Sequence, residues 1–259
     1  FEDGTVWTEF FRLDYGYLLR FPDLADFEVS PDGAIVTAFP APDTDDVTLE
    51  HLYINQVVPL ALSRQGRPAF HASVVMAPGG CIAFLGKTGM GKSTLAASFA
   101  LNGAAFLTDD SLIIEESDEA VLAVPSHASV RLWEDSLEAL SKEQSHSQVL
   151  YSSKTRILAG VELEHAAEAQ PLLAAYRLED SEPDEAVIEP LAGADRHMAW
   201  VENSFLLDIQ DQDLLKRHFD WTHRISGRVP CFSLDYPRIY GMLAEVRRNI
   251  LQHVAGLND

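Results

Sequence analysis

Eight consecutive residues, Gly86-Lys87-Thr88-Gly89-Met90-Gly91-Lys92-Ser93, fit the phosphate-binding pattern G-x-x-x-x-G-K-[ST]. Small residues let successive backbone N–H groups turn inward around an anion, and a helix starting at the end of the motif aims its positive end at the same point. Gly86, Thr88, Gly89, Met90, Gly91 and the following Thr94 are the expected lining of this cradle. Lys92 is placed to reach β- and γ-phosphates, and the Ser93 hydroxyl to hold Mg²⁺. The expected ligand is a nucleoside triphosphate with its magnesium ion.

Phosphoryl transfer needs three further things: another metal ligand, a base for the acceptor hydroxyl, and cations for the charge that develops in the transition state. Asp109 and Asp110 follow an apolar stretch at 104–108, so both emerge at a strand end soon after the motif's helix. Two adjacent carboxylates there can serve a metal and an acceptor. His71 lies in the apolar stretch 69–76; such a lone histidine is usually a core residue, but here it can orient one of the carboxylates. Arg131, Lys154 and Arg156 are the downstream cations available to close over a phosphate. His218 and His223 are five residues apart rather than the i, i+4 of a helical zinc pair, which excludes that site.

The motif requires a strand before it and a helix after it. Residues 80–85 read as a buried strand, and 94–101 as a helix with apolar residues at helical spacing, closed by Gly103. Segments 69–76 and 80–85 flank Ala77-Pro78-Gly79, which predicts an antiparallel hairpin running into the motif and therefore a mixed sheet. Upstream, 15–21 and 34–39 read as a hairpin joined through the turn at Ser30-Pro31-Asp32-Gly33, and 49–64 as a helix that Pro59 kinks. Downstream, strands are expected at 111–116, 120–124, 156–161, 172–178 and 186–191. Helices are expected at 135–140, 211–225 and 237–254, with a polar loop at 141–154. The reading is an α/β fold: a small N-terminal β cap over residues 1–46, then a phosphate-loop domain over 47–259 with C-terminal helices.

The composition, 47% hydrophobic and 23% charged, is that of an ordinary globular protein. A net charge of −21 argues against a nucleic-acid partner, whose binders carry basic faces. The same charge suits solubility, or a basic peptide partner. Magnesium-nucleotide binding survives it, because screening acts beyond about 8 Å and local donors decide. No apolar run reaches the roughly 18 residues of a membrane span, and no secretory leader is visible, so a cytoplasmic protein is expected. Cys81 and Cys231 read as small core residues.

His71, the phosphate loop and the Asp109-Asp110 pair together resemble the HPr kinase/phosphorylase family of phosphate-loop kinases. The spacing matches as well: His71 precedes Gly86 by 15 residues, and the two aspartates follow Ser93 by 16 and 17. The resemblance covers residues 69–116. It implies an ATP-dependent serine kinase in which Asp110 takes the hydroxyl proton, on a fold related to the ATP-dependent phosphoenolpyruvate carboxykinases; with Asp110 in that role, the neighbouring Asp109 is the expected companion of Ser93 on Mg²⁺. Two features depart from that family. Thr94 stands where it has Glu, and Pro125-Ser126-His127-Ala128-Ser129-Val130-Arg131-Leu132-Trp133 stands where it has an Arg-Gly signature. In length, in the Phe-His-Ala-Ser strand and in Arg-Leu-Trp the chain more closely resembles short HPr-kinase-like proteins that phosphorylate lasso peptide precursors on serine. That likeness implies a peptide or protein substrate. An ATP-sensing module without transfer activity and a kinase of a small metabolite are the alternatives at this level, and nothing in the sequence bears on oligomeric state.

Overall fold

The computed structural model describes residues 6–126, 129–133, 146–148, 154–158, 164–181 and 183–257. It opens with a four-stranded antiparallel meander: β1 Glu9–Leu13, β2 Gly16–Phe21, β3 Ala25–Val29 and β4 Val36–Pro40. The expected hairpin of 15–21 with 34–39 is therefore not direct. β3 lies between its two strands, and the Ser30–Gly33 turn joins β3 to β4. Asp26 and Glu28 dilute the apolar signal of β3, yet Ala25, Phe27 and Val29 point inward and are buried, as strand alternation requires.

That inner face packs on a helical run: α1 Asp46–Leu52, a π-helical turn Tyr53–Val57, and α2 Val58–Arg64. Leu52, Val57 and Ala61 share a core with Tyr17, Leu19, Phe21 and Phe27. The irregularity expected from Pro59 takes the form of the π turn. Proline has no N–H for the preceding turn, and the Val58 N–H bonds to the Tyr53 carbonyl five residues back. Gly33, at φ +71°, brings the β3–β4 turn against α2 so closely that a Cβ would sit 2.2 Å from the Ala61 carbonyl oxygen. Gly33→Ala should destabilise the chain by on the order of 2–4 kcal/mol, read as a lowered melting temperature, because it combines backbone strain with a clash against main chain.

The larger sheet contains β5 Ala69–Phe70, β6 Ala72–Ala77, β7 Gly80–Leu85, β8 Phe106–Thr108, β9 Leu112–Glu116 and β10 Val121–Val124. A second, small sheet holds β11 Ser129–Trp133, β12 His146–Gln148 and β13 Lys154–Leu158, in the order β11-β13-β12. β14 Gln170–Leu178, β15 Val187–Pro190, β16 Ser204–Phe205 and β17 Cys231–Asp235 complete the larger one. β7, β14 and β17 run parallel, while β6 pairs antiparallel with both β7 and β8. The sheet is mixed, as the hairpin ahead of the motif predicts.

Both faces are covered. α3 Lys92–Ala100 and α6 Leu243–Leu257 pack on one side, where Ile82 and Phe84 of β7 meet Leu95, Phe99, Val246 and Ile250. The other side holds α4 Gly193–Val201 and α5 Gln212–Arg228, with Trp200 and Ile225 against Phe70, Ala83 and Leu85. α4 and β16 are absent from the sequence expectations. Two others need correction. His146–Gln148, inside the supposed loop 141–154, is a strand, and Lys154 opens β13. The expected helix 135–140 and residues 159–161 of the expected strand lie outside the described residues.

Candidate active site

The glycine-rich turn leaves the end of β7 and enters α3, the strand–turn–helix order that the motif demands. Gly86, Gly89 and Gly91 have φ of 143°, 87° and 87°, and Gly91 forms the left-handed N-cap of α3. A Cβ at Gly91 would meet the Arg238 guanidinium and the Tyr236 hydroxyl, each at 3.1 Å. Lys87, Thr88 and Gly89 are exposed at the crest, whereas Lys92 is buried beneath it. The Lys92 ammonium donates to the carbonyls of Gly86 at 2.7 Å and Lys87 at 3.0 Å, so a charge withdrawn from water keeps partners.

β8 delivers the two aspartates to this turn. Asp109 Oδ1 accepts from the Ser93 hydroxyl at 3.0 Å and from the Ser73 hydroxyl at 2.5 Å. Asp110 follows in a left-handed conformation, φ 65°, uncommon for a residue with a Cβ and typical of positions held for a purpose. The Thr108 hydroxyl closes the bend by donating to the Ser111 carbonyl at 2.9 Å. Both carboxylates belong to buried residues.

His71 does not lie within a strand paired to β7, as the sequence suggests. It occupies the break between β5 and β6, where its N–H donates to the Asn203 carbonyl at 2.6 Å. Its Nδ1 is 3.2 Å from the Asp110 carbonyl oxygen and 3.9 Å from Asp110 Oδ1. Gly86, Thr88, Gly89, Met90 and Gly91 thus form one turn, Lys92, Ser93 and Thr94 make up the first turn of the helix behind it, and Asp109, Asp110 and His71 stand on its β6–β8 side.

The cations expected downstream, Arg131, Lys154 and Arg156, lie on strands of the small sheet. Arg131 pairs in register with Arg156, and Trp133 with Lys154, in the small sheet whose strand β11 runs beside α3. Their side chains are outside the described set.

Three residues escaped the sequence reading. Ser73 follows His71 by two, a spacing that points both side chains to one face of an extended segment, and this would have suggested it. Arg238 donates to the Met90 carbonyl at 2.6 Å and to the Glu179 carbonyl, and lies 4.1 Å over the Tyr236 ring. Asn203 Oδ1 accepts the Gly86 N–H at 2.9 Å. Neither carries a local sequence signal, since each reaches the turn through the tertiary fold.

No protein-family model and no curated protein matches the chain. Among solved structures, it is similar to the Hpr(Ser) kinase/phosphatase from Coxiella burnetii. The two share 12% identity and a TM-score of 0.33, over 61% of this chain and 97% of that one. So distant a likeness leaves the chemistry to this chain's own side chains.

Those side chains fit a magnesium nucleotide. Two oxygens bound to neighbouring corners of a Mg²⁺ octahedron with bonds of 2.0–2.1 Å lie about 3 Å apart, and Ser93 Oγ and Asp109 Oδ1 are 3.0 Å apart. A hydroxyl and a carboxylate are the hard donors this ion prefers. The exposed crest and the Cβ-free backbone leave room for phosphate above the start of α3. Cys81 and Cys231 stay outside this chemistry, since burial pushes both thiols up to about 12. Among the described residues, no helix is long and apolar enough to cross a membrane.

Proposed function

We propose that this chain is a magnesium-ATP-dependent phosphotransferase acting on a serine-type hydroxyl of a peptide or protein. The observation that carries the reading is the Ser93–Asp109 hydrogen bond, which ties the glycine-rich turn to the aspartate pair, with His71 next to Asp110.

Lys92 and the turn's amides hold the triphosphate, and the start of α3 adds its positive dipole end. Ser93 and Asp109 would hold Mg²⁺, which would supply charge neutralisation to the triphosphate. Ser73 fixes the rotamer of Asp109 through its short hydrogen bond. Asp110 takes the acceptor's hydroxyl proton as the new O–P bond forms and the β–γ bridging bond breaks. His71 holds the Asp110 segment in place, through the carbonyl and carboxylate oxygens it faces.

The peptide acceptor follows from the likeness to the short kinases of lasso-type precursor peptides. The excess of acidic residues favours basic sequences among the candidates. The test incubates the purified chain with Mg²⁺, γ-labelled ATP and a panel of serine-containing peptides, basic ones included, and reads label by mass spectrometry. Phosphoserine on a peptide is the expected result. Bound ATP with no ADP formed over any acceptor would replace the kinase with a nucleotide-sensing module. Label on small hydroxylated metabolites alone would overturn the peptide substrate.

A further inference from the structure

We infer that Asn203 is a positioning residue that joins the phosphate loop to His71 and so sets the distance between the nucleotide and the Asp110 base; this rests on the kinase reading above. Asn203 is buried in the segment between α4 and β16. Its side chain and its main chain point to different parts of the site. Oδ1 accepts the N–H of Gly86, the first glycine of the loop, at 2.9 Å, and the backbone carbonyl accepts the His71 N–H at 2.6 Å. Nδ2 donates to the Ala199 carbonyl at 2.8 Å, which anchors the amide to the last turn of α4.

The surroundings hold this residue still. Trp200, one turn of α4 earlier, meets Phe70 edge-on at 5.0 Å between ring centres. Phe205, two residues after Asn203, meets the His71 ring in the same way at 6.1 Å. β16 pairs with β5, so the residues flanking His71 on one side and Asn203 on the other are locked in register.

An amide is the group this position requires. It must accept from Gly86 and donate to Ala199 at the same time, and Asn does both within one short side chain. A carboxylate can do only the first. A methyl group does neither and leaves the Gly86 N–H buried without an acceptor.

The test compares wild type, Asn203→Ala and Asn203→Asp by calorimetric titration with Mg-ATP, by kcat and KM for ATP, and by thermal melts that establish folding. Asn203→Ala should weaken ATP affinity about tenfold, the effect of one unsatisfied buried donor, and lower kcat as well, because the loop moves relative to His71. Asn203→Asp should show a pH-dependent defect. The carboxylate stands against the Ala199 carbonyl and near the triphosphate, so its affinity deficit relative to wild type is greatest at about pH 8. It shrinks toward about pH 5, as protonation restores a donor. A purely structural role would leave that ratio constant with pH. A constant ratio, or an Asn203→Ala protein within about twofold of wild type in both constants, overturns the inference. Where Asn203→Ala does not fold, the pH series on Asn203→Asp decides. If the wild-type chain itself takes up no Mg-ATP, the kinase reading falls and this inference with it. If wild type binds and both variants match it, only the role of Asn203 is lost.

Discussion

Asp110→Asn should lower phosphoryl transfer by roughly 10²–10⁴-fold while leaving Mg-ATP affinity close to that of wild type. The substitution is close to isosteric. It removes the capacity to take a proton but keeps an oxygen in the same place. It also preserves the backbone, because Asn tolerates a left-handed conformation at least as well as Asp, and Asp110 sits at φ 65°. The two contacts of His71 Nδ1 with Asp110 differ in their dependence on the side chain. The bond to the Asp110 carbonyl at 3.2 Å is a main-chain contact and persists, and only the 3.9 Å approach to Oδ1 loses its charge. Steady-state kcat and a nucleotide titration on the same preparation separate the outcomes. An unimpaired rate removes Asp110 from the mechanism, and a lost affinity would make it a metal or nucleotide ligand instead.

The parts of this site that could be read from the chain are those whose physics is local. Backbone N–H groups converge on an anion only where side chains are absent, so the spacing of Gly86, Gly89 and Gly91 carries its own geometry, and β7 and α3 fall where the pattern puts them. The hairpin of β6 with β7 was legible for the same reason: Pro78 and Gly79 interrupt two apolar runs. β3 and α4 were not. β3 alternates with charged residues on its outer side, and α4, Gly-Ala-Asp-Arg-His-Met-Ala-Trp-Val, mixes polar and small residues so that only Ala199 and Trp200 are buried. Both elements exist because of what they pack on. Asn203 and Arg238 show the same limit at the level of single residues. They touch Gly86 and Met90 from 117 and 148 residues away, and no local pattern encodes a contact of that range. Ties of this kind also connect the meander and α2 to the segment that follows β16: Arg12 of β1 pairs with Asp208 at 2.6 Å and Arg64 of α2 with Asp211 at 2.7 Å.

Lys92→Ala should abolish useful nucleotide binding, with affinity for Mg-ATP falling on the order of 10²–10⁴-fold, since the ammonium's third donor makes a bond to a charged phosphate oxygen worth about 1.5–3 kcal/mol, and the two bonds that keep the turn closed are lost with it. The position of the ammonium explains why the loss cannot be made up by a neighbour. Lys92 is buried at the first residue of α3, and its Nζ bonds to the carbonyls of Gly86 and Lys87, so it also holds the two ends of the turn together. Lys87, the other cation of the motif, is exposed at the crest. Lys92→Arg is the informative companion. It keeps the charge, but a planar fork does not fit the space of a compact ammonium under a closed turn, and binding should stay weak. The two aspartates act in the opposite sense on the same experiment. Asp109 and Asp110 place negative charge near the site, so the nucleotide is held against their field by Lys92, the turn's amides and Mg²⁺. Affinity in wild type should therefore fall steeply when Mg²⁺ is chelated, and in Lys92→Ala the addition of Mg²⁺ should recover little of it. Retention of wild-type affinity by Lys92→Ala would mean that the glycine-rich turn is not where the nucleotide binds, and the roles of Ser93, Asp109 and Asp110 would fall with it.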